Sequence, residues 1–285
     1  MEHEADVCSD IRVHRKQNQL AIDKAFERYL VEVTPSKKGA RQERVRLKWL
    51  QKHWISRFSM EKLQPADVSR YRDERLRLVS PSSVQKELSA ISQLYVVGVK
   101  EWGMTHLINP VSLVRKPRVH NSRDRRASDD EINLILSKTG SDALRAALIL
   151  AIETDMRRGE LAEFTWSALD FAARTLRLPD TKNGTVRYVP LSLKAIEVLR
   201  RLDSTREGPL LGVKAGSITQ AFRRAFKRAQ LRNIRFHDMR HESTSRLFER
   251  GFNPFEVAAV SGHKSMQSLK RYTHLLASKL ASRLD

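Results

Sequence analysis

Strand-like alternation of apolar and polar residues concentrates in one stretch of this chain. TLRL at 175–178 and VRYV at 186–189 flank a segment holding the turn-forming pair Asn183-Gly184, which together make a hairpin signal. In most other stretches the apolar residues recur at the three-and-four spacing of helices. A chain of 285 residues patterned this way is expected to be mainly α with a small antiparallel β-sheet, an α+β fold. It is also long enough for two domains with separate cores.

Residues 1–17 lack periodicity and read as a tail. From 18 to 108 the pattern is helical and predicts a four-helix bundle. AIDKAFERYLVEV (21–33) puts Ala21, Ala25, Tyr29 and Val33 on one face. A second helix is expected over 40–58, carrying Val45, Leu47, Trp49, Leu50 and Trp54. A third, over 65–76, has Pro65 in its first turn, where a missing N–H costs nothing. The fourth opens with Ser80 as N-cap and Pro81 as first residue, buries Val84, Leu88, Ile91 and Tyr95, and ends at Gly103. Residues 109–126, with two prolines and many cations, read as a basic linker. The second domain, 127–285, opens on a capping box of Ser128 and Glu131 for a helix over 126–140. One or two buried helices follow over 142–164, then the hairpin, then helices near 192–203, 217–230, 238–250, 254–260 and 266–282.

Charge narrows the partners. Lys plus Arg is 53 against 33 Asp plus Glu, a net charge of +20. Such an excess calls for a polyanion, most simply nucleic acid. A membrane partner is not expected: no lipidation motif or amphipathic anchor is evident, and the longest apolar run, Ala146 to Ile152, is far too short to span a bilayer. The single cysteine, Cys8, rules out an intramolecular disulfide and a Cys-based zinc site. The N-terminus is acidic and polar, unlike a signal peptide, so a cytoplasmic location is expected.

The C-terminal half carries Arg157 in MRRGEL (156–161), Lys182 in TKNGTVRYVPL (181–191), His237 and Arg240 in HDMRH (237–241), and His263 and Tyr272 in SGHKSMQSLKRYTH (261–274). A phosphodiester resists attack because its charge repels nucleophiles and its leaving group is a poor alkoxide. An enzyme without metal must bring cations to the non-bridging oxygens and a proton to the leaving oxygen. Arginine suits the first task, being always charged and forked to match two oxygens. On a helix, His237, Arg240 and His241 share one side. Two His four apart resemble half a zinc site, but the glutamate of HExxH is absent and a cation lies between them, so no metal is expected. Tyr272 stands among Arg271, Thr273 and His274, whereas the other four tyrosines read as half-buried core residues. Lys182, just before the Asn-Gly turn, is either a solvated hairpin lysine or a general acid. Arg158, adjacent to Arg157, points elsewhere, toward solvent or DNA. The basic helices over 40–52 and 217–232 alternate apolar and cationic residues. Arg41, Arg44, Lys48, Arg223, Arg224 and Lys227, with Arg118 of the linker, are candidate phosphate contacts, the plain alternative being a solvated face.

As a set these segments resemble the tyrosine recombinase (phage integrase) family, at a simple two-domain, Xer-like size. The resemblance implies that Tyr272 is a nucleophile forming a 3′-phosphotyrosyl link to DNA, with no metal, ATP or other cofactor. It makes Arg157 and Arg240 the phosphate clamps, with Glu160 orienting Arg157. His237 then donates to the phosphate or handles protons, and His241 is a supporting hydrogen-bond residue. His263 lines the pocket, and Lys182 protonates the leaving 5′ oxygen. Also implied are a C-shaped clamp on double-stranded core sites, a homotetramer on two paired sites (a monomer or dimer off DNA), and service to a mobile element or prophage. The tail of 1–17 is too short for an arm-site domain, and 275–285 would dock on a neighbouring protomer. The sequence departs from the family pattern at Asp155, where glycine is usual. That departure keeps a catalytically impaired DNA-binding relative as an alternative, beside a type IB topoisomerase-like enzyme.

Overall fold

The computed structural model describes residues 20–119, 125–178, 186–202 and 208–272. The chain divides into two compact units, Met1–Asn121 and Ser122–Asp285.

The first unit packs α1 (Ile22–Glu32), α2 (Ala40–Gln51), α3 (Pro65–Leu76) and α4 (Pro81–Glu101) around Phe26, Tyr29, Leu47, Leu50, Tyr71 and Leu88. The buried stripe of α1 is Ile22, Ala25, Phe26 and Tyr29, with Ala21 and Val33 only half-buried at its ends. α2 stops at Gln51 instead of running to 58. His53 is extended, which turns the chain so that Ile55 buries completely. The Ser56 hydroxyl then donates to the carbonyl of Leu50 at 2.7 Å, closing the helix end. Val45 and Trp49 face outward on α2. The Ser80 hydroxyl caps α4 by accepting from Ser83 N–H at 3.3 Å, and Val84, Leu88, Ile91 and Tyr95 are buried below it. Between α3 and α4, Glu87 accepts from Arg75 at 2.9 and 3.0 Å and from the Tyr71 hydroxyl at 2.7 Å, a closed buried network. Within the stretch expected as linker, Val111 and Val114 bury in this core. Arg125 pairs instead with Glu131, and Arg126 with Glu242 and Glu249, in the second unit.

The second unit is helical around one small sheet. Its elements are α5 (Asp129–Lys138), α6 (Asp142–Thr154), α7 (Arg158–Glu163), β1 (Leu169–Asp170), β2 (Thr175–Leu178), β3 (Arg187–Pro190), α8 (Leu193–Arg201), α9 (Ala215–Arg228), α10 (Asp238–Glu249), α11 (Pro254–Ser261) and α12 (Met266–Leu269). The strands run β1-β2-β3, antiparallel throughout. β2 and β3 are the expected hairpin strands, with Leu176 opposite Val189 and Leu178 opposite Arg187. The turn carrying Asn183-Gly184 lies outside the described residues, and β1 is a strand that the sequence pattern did not announce. The stretch 142–164 forms two helices, of which α6 is buried along most of its length and packs against α8 and α10. The helix expected over 266–282 ends at Leu269 and tightens into a 3-10 turn through Tyr272. In that turn residues three apart eclipse, which brings Leu269 and Tyr272 together onto Phe248 and Val257. The remainder, 273–282, lies outside the described residues. No helix among the described residues is long and apolar enough to cross a membrane.

Candidate active site

The site grows from the C-terminal end of α6. Asp155 ends that helix in the left-handed conformation, φ 54° and ψ 24°, and is fully buried. A residue there is strained unless it is glycine or a short polar side chain that can bond locally. Here the side chain is held by residues distant in sequence: Thr244 donates to its Oδ2 at 2.7 Å, and its Oδ1 lies 3.3 Å from Arg240 Nε. Burial pushes the Asp155 carboxyl up to about 6, while Arg240 and Thr244 pull the other way. The reversal at Asp155 brings Arg157 to the start of α7. There its backbone N–H and its Nη1 both donate to Glu160, each at 2.8 Å. Its side chain remains 37% exposed, open to a further acceptor.

Arg240 lies on α10 and is 4% exposed. Beside the Asp155 carboxylate, Nη1 donates to the Asp155 carbonyl and Nη2 to that of Ser261 at 2.7 Å. A guanidinium has five N–H groups, so these bonds fix its plane without using every donor. His237 and His241 do share one side of α10, with ring centroids 4.9 Å apart. His237 sits exposed at the N-cap. Half-buried His241 forms a hydrogen bond through Nδ1 with the Tyr272 hydroxyl. Burial, then the positive neighbours His237 and Arg271, hold His241 down at about 4, so its ring is neutral near pH 7. His263 follows the Gly262 turn, its Nδ1 2.6 Å from Ser261 Oγ. Burial and the charges of Arg240, Arg157 and Arg187 press it down to about 3. Tyr272 is 7% exposed and stacks on Phe248 at 6.3 Å. Burial raises its pKa, with Arg271 opposing.

Arg157, His237, Arg240, His241, His263 and Tyr272 are thus close enough for their charges to act on one another. Lys182 lies outside the described residues. Arg158 points away and bonds the Thr219 hydroxyl. Arg41, Arg44 and Lys48 on α2, Arg118, and Arg223, Arg224 and Lys227 on α9 are all exposed. On α9 they oppose a face that buries Ile218, Phe222 and Ala225.

Sequence reasoning missed Arg187. It points inward from β3, donates from Nη2 to Glu160 at 3.0 Å, and its side chain is 9% exposed. Its guanidinium occupies the space where a Cβ on residue 262 would stand, and Gly262 itself has φ 69°. The signal was available. Alternation places residue 187 in phase with buried Val189, so a charge there points into the protein. The same alternation turns Tyr188 outward at 61% exposure, so that tyrosine is not a core residue, unlike Tyr29, Tyr71 and Tyr95. Three arginines (157, 187 and 240) face two carboxylates (Asp155 and Glu160), with neutral histidines alongside. Such a cluster is short of one negative charge and suited to receive an anion.

The model described as the phage integrase family matches residues 126–279. A shufflon-specific DNA recombinase of Escherichia coli is 38% identical over 94% of this chain and 72% of its own length. A putative integrase/recombinase of Haemophilus influenzae is 35% identical over 88% of the chain and 72% of its own length. Among solved structures, a lambda integrase dimer bound to a COC′ core site superposes with a TM-score of 0.72 at 21% identity, covering 95% of this chain and 80% of that one. The Tn1549 transposon integrase (residues 82–397) with circular intermediate DNA also gives 0.72, at 16% identity, covering 93% and 99%. The chain belongs to the phage integrase family of tyrosine recombinases.

Proposed function

We propose that this chain, a site-specific DNA recombinase by family, cleaves and rejoins duplex DNA through a 3′-phosphotyrosyl link at Tyr272. The observation that carries the reading is the placement of the Tyr272 hydroxyl. It is buried against His241 and within the electrostatic reach of Arg240. A phenol within the field of a fixed guanidinium is placed for an attacking oxygen to meet a phosphate that the guanidinium holds.

In this reading Arg157 and Arg240 bind the non-bridging oxygens and stabilise the charge that builds on them. Removing one such donor typically costs about 10²–10³ in rate. Glu160 holds Arg157 in place, and His237 and His263 line the phosphate. Lys182 gives the leaving 5′ oxygen its proton. The phosphotyrosine diester keeps the energy of the broken bond, so rejoining needs no nucleotide. Exposed Arg41, Arg44, Lys48, Arg118, Arg223, Arg224 and Lys227 supply contacts to the DNA backbone. The substrates are short double-stranded core sites joined in pairs by four protomers, and the setting is a mobile element in the cytoplasm. The Escherichia coli relative, named for its action on a shufflon, supports DNA rearrangement as the outcome.

Incubation with nicked duplex DNA carrying the element's end sequences tests the reading. Wild type accumulates a protein–DNA adduct stable to detergent, and Tyr272→Phe forms none. Binding without an adduct in wild type would favour a catalytically silent DNA-binding protein. Relaxation of supercoiled plasmid without site preference would favour topoisomerase-like action.

A further inference from the structure

Tyr272 needs a partner for its proton. The phenolic oxygen becomes a stronger nucleophile only as that proton leaves, and an ordinary phenol holds it to a pKa of about 10. Burial raises the Tyr272 value further. His237 is exposed at the α10 N-cap, and its ring packs against His241. Thr244 also bears on the Tyr272 hydroxyl, but it is a neutral hydroxyl with no basicity near pH 7, and it has the Asp155 carboxylate at 2.7 Å and the Arg240 carbonyl at 3.0 Å as acceptors. His263 is engaged at Nδ1 with Ser261. The basic nitrogen in hydrogen-bond contact with the Tyr272 hydroxyl is Nδ1 of His241, one turn along α10 from His237.

Resting on the assignment of Tyr272 as nucleophile, we infer that His241 is the general base of strand cleavage and the general acid of rejoining. In cleavage the Tyr272 oxygen bonds to phosphorus and its proton passes to His241 Nδ1. The bond from phosphorus to the 5′ oxygen breaks, and that oxygen takes its proton from a separate donor, Lys182 in the reading above. In rejoining, a 5′ hydroxyl attacks phosphorus and yields its proton to the donor that supplied it, Lys182 in this reading, now a neutral amine; the bond to Tyr272 breaks, and the His241 imidazolium returns its proton to the phenolic oxygen.

The surroundings suit both directions. Facing His241 are His237, Asp238 and Arg240 from its own helix, Arg271 and Tyr272 from the C-terminal turn, and His263 from the Gly262 turn. Apart from Asp238, the ionic neighbours oppose a charge on the ring, so it waits neutral with Nδ1 able to accept. A DNA phosphate arriving beside Arg240 brings a negative charge that offsets this opposition. The substrate thereby strengthens its own base.

The test is single-turnover adduct formation on nicked DNA, for wild type, His241→Ala and His241→Asn, between about pH 6.5 and 9. Asparagine keeps a polar group near Nδ1 but takes no proton at these pH values. General-base catalysis is typically worth about 10²–10⁴, so both variants slow by that order at neutral pH with DNA affinity retained. Without a base, attack must wait for preformed phenolate. Their rates therefore climb about tenfold per pH unit, while wild type stays nearly flat. A rate within a few-fold of wild type, or a slowed profile parallel to wild type, overturns the assignment. A Tyr272→Phe arm separates the two readings: an adduct in that variant sinks the nucleophile itself, whereas its absence beside a normal His241→Ala rate sinks only the base.

Discussion

Asp155 shows how one side chain can strain the backbone and still belong to the site. Its φ of 54° is the kind of position where the family resemblance leads one to expect glycine. Asparagine tolerates the same conformation and can still accept from Thr244, so Asp155→Asn removes charge with little else. The linkage sign follows from the carboxyl's folded value of about 6 against an ordinary 3.8. Between those values the folded chain holds a proton that the unfolded chain has released, so this group costs stability as pH rises through the window. Urea unfolding of wild type and Asp155→Asn at pH 4 and pH 6.5 is the check. The variant gains on wild type by about 2–3 kcal/mol over that range, and a constant difference would mean the carboxyl does not titrate there. His241 and His263 act in the opposite sense. Both are depressed, to about 4 and about 3, so they cost stability as pH falls below their unfolded value near 6.5. Comparing the variant with wild type cancels their contribution.

At the scale of elements, Gly262 joins the α11 cap to the site. Its φ is 69°, and a Cβ would strike the Arg187 guanidinium. Gly251, in the same unit, also has positive φ, 91°, but a Cβ there meets nothing within 4 Å. Gly251→Ala therefore incurs only the backbone cost, about 1–2 kcal/mol. Gly262→Ala adds displacement of Arg187 from Glu160, so its loss in urea midpoint exceeds that of Gly251→Ala and adduct formation falls with it. Equal losses would show that Arg187 gives way freely. What the sequence could tell divides along the same line. The Ser80-Pro81 start of α4, the Ser128–Glu131 box of α5 and the two hairpin strands obey local rules and were legible. The end of α2 at Gln51 was not, because it depends on burying Ile55 elsewhere in the unit. Nor was the stop of α12 before Tyr272, which is set by packing on Phe248. In the site, HDMRH announced its shared face through spacing. The Arg240–Asp155–Thr244 network joins residues far apart in sequence and needed the fold, while Arg187 lay in plain view as an inward-phased charge.

For the molecule as a whole, the excess of positive charge is spread over exposed surfaces of both units, beyond the site itself. The α9 cations Arg223, Arg224 and Lys227 lie opposite that helix's buried face, where phosphate contact would leave the core untouched. Each phosphate neutralised contributes about 0.9 to the slope of log affinity against log salt. Replacing all three by alanine therefore lowers that slope by about 2–3, measured by titration of a core-site duplex at several salt concentrations. An unchanged slope would return these residues to the role of a solvated face. In the proposed reaction such binding serves the chemistry, and that reaction rests on one atom, the Tyr272 hydroxyl oxygen. The most direct measurement is to digest the trapped protein–DNA adduct with trypsin and nuclease and locate the nucleotide by mass spectrometry. Cleavage after Arg271 yields a peptide that begins at Tyr272 and ends at Lys279. The account predicts the nucleotide mass on Tyr272 of that peptide. The same mass on Tyr188, on any other residue, or on no peptide at all would contradict it.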